Sequence, residues 1–430
     1  MLLFRFISIT SLLGLVLMVS SSSAQVTILP LESNDVQMSI DELNPRIFDI
    51  GYDATTGVVM AGSIDSGLVD SGPGLFTLNS TGTAIIATIF SVNVGGVVDS
   101  GLLGISSDGR RVAGYIGDFG LTWLTPDFSN LNLISNKNGF AARVAWTDGV
   151  VGYSHDGQIL RWTEADGIQE LPGNTNFVDQ IPTGVSSDGQ IIVGVSAHEL
   201  VDRAAYYWDS SGTHRLNDNI AGYTTTSSGA GNISPNGNFI CGHISALDSS
   251  GNSMIFASVW EGDAKTLRVL TDGDGNFIRG FVRDISDSGF AIGPSINTDN
   301  TRSFGFITEG TGEVQRLNEW ILTKDPTATL ANGSSLFARS VHFDGPSETL
   351  RFTADRDGTY FYVAVDLSEG NEPPMPGDVN TNGVVDFFDI QPFIDILVNQ
   401  TFQTEADIDG NGVVDFFDIQ PFIDILTGGG

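Results

Sequence analysis

Oxygen-bearing side chains recur at one fixed spacing twice near the end of this 430-residue chain. The first run is Asp378, Asn380, Asn382, Asp386 and Asp389, and the second is Asp407, Asp409, Asn411, Asp415 and Asp418. In a twelve-residue loop these are positions 1, 3, 5, 9 and 12, with Gly383 and Gly412 at position 6. The spacing suits a hard cation. Calcium takes about six to eight oxygens at about 2.3–2.6 Å. Side chains at 1, 3 and 5 converge when the chain curls around an ion, and glycine permits the sharp turn. The carbonyls of Val384 and Val413 would supply position 7, and Asp386 and Asp415 would act through a water. Asp389 and Asp418 would close the shell from the first turn of a following helix. Two calcium ions are expected. The second loop offers four carboxylates against three in the first, so it is expected to bind more tightly.

The loops belong to a longer duplication. NGVVDFFDIQPFIDIL runs from Asn382 to Leu397 and again from Asn411 to Leu426. No Lys or Arg follows Gly377, so the carboxylates repel one another without an ion and calcium should contribute folding energy. This tail, from roughly Gly377 to Thr427, resembles a type I dockerin, which also has Asp at position 12 where an EF-hand has Glu. The resemblance implies a small α-helical module of two loop–helix units that docks onto a cohesin domain on a scaffold or cell surface. It places recognition at loop positions 10 and 11, here Phe387, Phe388, Phe416 and Phe417. Dockerins usually carry small or polar residues there, and the paired phenylalanines could instead fill the core of so small a module. Pro392 and Pro421 also depart from the family. They fit in a first helical turn, where the backbone N–H has no helical partner.

The other end of the chain reads as a leader. Arg5 supplies a charged start, Phe6 to Val19 an apolar run, and Ser22-Ser23-Ala24 a small-residue cleavage site. Residues 1–24 are therefore expected to be a signal peptide, too short in its apolar part to span a bilayer. Localisation is expected to be secreted, extracellular or cell-surface. The formal net charge of −33 argues against nucleic acid and anionic lipid as partners. The single cysteine, Cys241, allows no internal disulfide. Secretion without disulfides points to a bacterial source and a core large enough to hold itself together.

Between residues 25 and 367 short β-branched runs alternate with DG, NG and SG turns, which reads as mainly β. A weak repeat fills this body: ISSDGRRVAGY at Ile105, VSSDGQIIVGV at Val185, ISPNGNFICGH at Ile233 and ISDSGFAIGPS at Ile285. Degenerate copies start at Tyr52, Val144 and Val341. Most copies continue into an aromatic strand (Trp123, Trp162, Trp208, Trp260, Phe306) and then a last strand drawn from FSNLNLI, ADGIQELP, SGTHRLND, AKTLRVL and TGEVQRLNEW. Four strands per unit predict a β-propeller of seven blades, with six as the alternative. Asp-Gly and Asn-Gly predict two-residue turns with both residues at positive φ. The tryptophans are expected between neighbouring units, and VTILPL at Val26 is expected to complete the last blade and close the ring. The copies resemble the HAF-type extracellular repeat, a family with no firm chemistry to lend.

No catalytic constellation stands out. His155, His198, His214, His243 and His342 lack metal-ligand spacing. Cys241 and His243 are expected as a core pair on one strand. Glu164, Asp166 and Asp209 could join other carboxylates in glycoside hydrolysis, but nothing selects a pair. Residues 368–376, SEGNEPPMP, read as a linker. The expectation is a secreted propeller carried by a calcium-dependent docking tail (377–427) to a cohesin-like or cell-surface protein, with polysaccharide as a further candidate partner. A polysaccharide-degrading enzyme (glycoside hydrolase or lyase) and a structural protein of an extracellular layer are the alternatives.

Overall fold

A computed structural model describes residues 26–30, 44–53, 57–65, 72–78, 85–89, 100–116, 119–124, 132–134, 141–154, 157–171, 177–198, 201–299, 301–325, 328, 335–357, 359–367, 376–377, 379, 385, 387–399, 406–409 and 412–426. The leader and the linker before Pro376 lie outside them.

Each repeat folds as one four-stranded antiparallel sheet, and the described strands form seven such sheets. Blade 1 starts at Asn44–Asp53, blade 2 at Ser100–Ile105, blade 3 at Ala141–Trp146 and blade 4 at Phe177–Val185. Blade 5 starts at Thr224–Ile233, blade 6 at Asp284–Ile285 and blade 7 at Phe337–Asp344. Each blade packs on the next, and the first strand of blade 1 packs on the first strand of blade 7, so the ring is closed. The fold is a seven-bladed β-propeller. Blade 7 takes three strands from its own repeat and the fourth from Val26–Pro30, which pairs antiparallel with Thr359–Asp366. Along that strand Ile28 packs into the core between blades 6 and 7 and Leu29 into the core between blades 7 and 1, as period-two alternation requires.

The third strand of a blade supplies the aromatic wedge. Trp208 packs with Trp146, Val151 and Ile159 of blade 3, and Trp260 with Val193 and Ala205 of blade 4. Phe306 meets Cys241, Ala257 and Val259 of blade 5. Cys241 is buried there, and His243 two residues on stacks edge-on against Phe281 of the next repeat, so both are packing residues.

Two expectations need correction. The repeat turns are not two-residue turns with both central residues at positive φ. In blade 2, Ser106 to Arg110 separates the strands, Gly109 N–H donates to Ser106 C=O at 2.8 Å, and only Gly109 (φ 70°) is left-handed. The Ser-x-Asp-Gly signature wires itself internally. Ser106 Oγ donates to Asp108 and accepts from Arg111 N–H at 2.9 Å, and Ser186 and Ser234 do the same with Asp188 and Asn236. The side-chain bonds stabilise the longer turn. Blade 3, with Trp146 in place of that Ser, does have a two-residue turn, Thr147-Asp148, between Trp146 and Gly149. The second correction concerns TGEVQRLNEW, read as a strand. Only Gln315–Arg316 is strand, and Leu317–Lys324 is helix. Leu317, Trp320 and Ile321 are its buried face, at i, i+3 and i+4.

The tail holds two short helices, Ile390–Asn399 and Ile419–Leu426, each entered through one 3-10 turn. Pro392 and Pro421 are third in their α-helices, among the N–H groups that lack a partner four residues back. Val379, Phe393, Ala406, Val414 and Phe422 form a core of their own, with the Phe393 and Phe422 rings stacked at 4.4 Å.

Candidate functional site

In the second tail loop, Asp407, Asp409 and Asp418 converge. One oxygen from each lies within 4.8 Å of the others. The helix start places Asp418, which is fully buried. Its Oδ1 accepts from Ile408 N–H (2.7 Å) and Asp409 N–H (3.0 Å), and its Oδ2 from Asp415 N–H (2.9 Å). Asp415 answers by accepting from Phe417 N–H at 2.7 Å, a capping box that starts the 3-10 turn. Asp407 Oδ2 accepts from Gly412 N–H at 2.8 Å across the loop. Gly412 sits at φ 87° with open space where a Cβ would lie, so glycine is there for conformation and not for room. Such an oxygen cluster can hold a hard cation. Val413 lies on the loop and is exposed.

The first loop is visible in part. Asp389 is buried like Asp418. Asp378, Asn380, Asn382, Val384 and Asp386, and Asn411 of the second loop, lie outside the described residues. Phe387, Phe388, Phe416 and Phe417 are 78, 77, 78 and 72% exposed. They do not fill the module's core, which Phe393 and Phe422 fill instead.

The carboxylates considered for hydrolysis are scattered. Glu164 and Asp166 are exposed in the turn between the last two strands of blade 3, and Asp209 ends the third strand of blade 4. Asp166 accepts from Thr163 Oγ1 and Asp209 from Ser211 and Gly212 N–H, so they serve their own turns. None lines the central cavity. His155, and the side chain of His198, lie outside the described residues.

The cavity holds acids that the sequence reading missed. It measures about 450 Å³ and is lined by the first strands of the blades. Asp284 Oδ1 accepts from Asn232 Nδ2 of blade 5, and its Oδ2 accepts from Val341 N–H of blade 7 and lies 2.9 Å from Ser340 Oγ of the same blade. Asp49 of blade 1 accepts from Ser340 Oγ and from Ile105 N–H of blade 2. Five blades are thus linked through side chains. Burial, with the Asp49 carboxylate next, pushes Asp284 up to about 7, and burial raises Asp49. Their oxygens face donors from the wall, so these acids staple blades together. Each precedes an Ile of its first strand (Ile50 and Ile285), but Asp49 lies eight residues before Gly57 and Asp284 five before Gly289, so the turn glycines do not bring the two acids into register.

No protein-family model matches the chain. No curated protein matches it either. Among solved structures, the β-propeller domain of Cps50 (Swd1) from Myceliophteria thermophila is similar at 10% identity and a TM-score of 0.40, over 75% of this chain and 99% of that one. No helix among the described residues is long and apolar enough to cross a membrane.

Proposed function

We propose that this is a secreted protein in which a calcium-dependent, dockerin-like tail docks a β-propeller binding or display module onto a cohesin-type or cell-surface partner. The observation that carries the reading is the convergence of Asp407, Asp409 and Asp418 in a loop whose sequence occurs twice. The ion would be held by Asp407, Asp409, Asn411, Asp415, Asp418 and the Val413 carbonyl, and a second one by the matching residues of the first loop. The exposed phenylalanine pairs supply the apolar contact that an interface core needs. The leader at residues 1–24 delivers the chain to the exterior.

Full-length protein, immobilised in calcium and again in chelator, tests the reading against surface and secreted fractions of the producing organism. The expected result is a captured protein with a cohesin-type domain, released by chelator and lost with Phe416→Asp and Phe417→Asp. Capture that ignores both calcium and these substitutions would overturn it. Release of reducing ends from glycans would favour a polysaccharide-degrading enzyme instead.

A further inference from the structure

Every first strand that is long enough carries the same irregularity. Register slips between Ile47 and Asp49, Leu102 and Gly104, Ala142 and Val144, Pro182 and Gly184, Ala230 and Asn232, and Ala338 and Ser340. A bulge leaves one residue unpaired and re-aims it. In blades 2, 3, 4, 5 and 7 that residue is Leu103, Arg143, Thr183, Gly231 and Arg339, and all five line the central cavity. In blade 6 the equivalent residue is Arg283, which also lines it. The arginines share one register, six residues ahead of the turn glycines Gly149, Gly289 and Gly345.

This placement runs against the composition. The chain has 52 acidic residues against 19 Lys plus Arg, yet three arginines converge on one lumen. Their charge is poorly balanced. Asp355, 4% exposed, accepts from Arg339 Nε at 2.8 Å and pairs with Arg302 Nη1 at 2.8 Å, so one carboxylate serves two guanidiniums. Arg283 has Arg339 and Arg302 as like-charged neighbours and only Asp355 opposing them. Neither Arg143 nor Arg283 makes a side-chain hydrogen bond or ion pair with a described residue, and the Arg283 guanidinium lies 6.0 Å from the Phe281 ring. Beside it His243 is held down to about 4, by burial first and Arg283 second, and adds no further charge near neutral pH. The lining acids Asp49 and Asp284 are committed to wall donors.

We propose that the channel is a binding site for a small organic oxyanion, with Arg143 on blade 3 and Arg283 on blade 6 as its ligands and Arg339 in support. A guanidinium fork matches carboxylate or sulfate oxygens bidentately and is weakly hydrated, so it gives up its water readily. Blades 3 and 6 lie nearly opposite in a seven-membered ring, so the two forks approach a ligand from two sides. A cavity of about 450 Å³ holds a sugar-acid-sized molecule, within the range of small-ligand sites. The large negative net charge disfavours a long polyanion. The inference deepens the reading of the propeller as a binding module and is independent of the tail.

Calorimetric titration of full-length protein in calcium, with glucuronate, glucose 6-sulfate, inorganic sulfate and glucose as probes, tests it. Saturable binding of glucuronate or glucose 6-sulfate is expected, weakening as sodium chloride rises and absent for glucose. The stronger organic anion identifies carboxylate or sulfate as the group recognised. Saturation by inorganic sulfate with equal affinity would mean an adventitious ion site only. Arg143→Gln and Arg283→Gln should each weaken binding at least tenfold, while Arg316→Gln on the outer strand of blade 6 leaves it unchanged. Thermal unfolding confirms that the variants fold, and Arg143→Lys should recover part of the affinity. Glucose binding as well as glucuronate, no anion binding at all, or full binding by folded Arg143→Gln and Arg283→Gln proteins would each overturn the assignment. Calcium-dependent capture through the tail would stand or fall separately.

Discussion

Asp49 and Asp284 share the hydroxyl of Ser340, whose Oγ lies 2.7 Å from Asp49 Oδ1 and 2.9 Å from Asp284 Oδ2. A serine hydroxyl has one hydrogen to give. Two full two-centre hydrogen bonds require a proton on one carboxyl, with the bonds running from Asp284 Oδ2 to Ser340 Oγ and from Ser340 Oγ to Asp49 Oδ1. The rise of Asp284 to about 7, from burial first and Asp49 second, agrees with that arrangement. The shared proton sits where blade 7 meets blades 6 and 1, on the first strand of blade 7, at the opposite edge of the sheet from Val26–Pro30.

Stability should therefore fall as pH rises through this window. An aspartate has an ordinary value of 3.8 and Asp284 is at about 7 when folded. Between these values the folded chain holds a proton that the unfolded chain has released, so raising pH disfavours folding. Above about 7 both states are ionised and this contribution stops changing. One proton gives a slope of about 1.4 kcal/mol per pH unit at most. Urea unfolding from pH 5 to pH 8 should show the decline, and Asp284→Asn should reduce the slope by up to one proton whatever its absolute cost. An unchanged slope in that variant would place the proton elsewhere.

The aromatic wedges give a test of how adjacent blades are joined. Trp260 is fully buried between blades 4 and 5, and its Nε1 donates to Asn217 C=O at 2.6 Å. Trp260→Ala should destabilise by about 3–5 kcal/mol, since it removes a large side chain from a packed core. Trp260→Phe keeps much of the apolar area but leaves the carbonyl unpaired, for about 1–3 kcal/mol. Denaturant midpoints should rank wild type above Trp260→Phe above Trp260→Ala. Equal losses would mean that the hydrogen bond dominates.

The blade count, the aromatic wedges and ring closure were legible because each repeat writes them in residue types with fixed spacing. Turn form was less so. Gly109 and the Ser106–Asp108 pair are visible as letters, but how the serine wires the longer turn is decided by side-chain hydrogen bonds. The helix at Leu317–Lys324 was hidden because its apolar positions resemble a short strand beside a Trp. The channel arginines were also in plain view, six residues before their glycines. A search for basic–aromatic runs along the chain passes over charges that only a ring and a repeated bulge bring together.

Closure by Val26–Pro30 should control the edge of blade 7. Its Ile28 pairs with Val363 and its Leu29 with Tyr362. Deleting residues 26–30 removes the partner of Thr359–Asp366 and exposes an edge that invites association. Amide exchange at Phe361 to Val365 should speed up well beyond the rest of the ring, and the melting temperature should drop. Size-exclusion chromatography should show oligomers growing with concentration. Exchange as slow as in the intact chain would mean that the strand is dispensable.

Calcium should act through Asp418 before any other ligand of the second loop. That carboxylate is buried and spans the loop, accepting from Ile408, Asp409 and Asp415 N–H groups, and it groups with Asp407 and Asp409. Replacing it by Asn keeps the shape but puts N–H hydrogens where backbone N–H groups and the ion both need an acceptor. Titration of wild-type protein should resolve two binding events, the tighter from the second loop with its four carboxylates. Asp418→Asn should abolish the tighter event and leave the weaker one, whereas Asp389→Asn should do the reverse. Saturating calcium at about 100 times Kd should stabilise the tail by about 2.7 kcal/mol per site, read as protection of Phe393 and Phe422 amides in hydrogen exchange. Survival of both events in Asp418→Asn would remove the second loop from the calcium chemistry and leave the cluster as a helix-capping device.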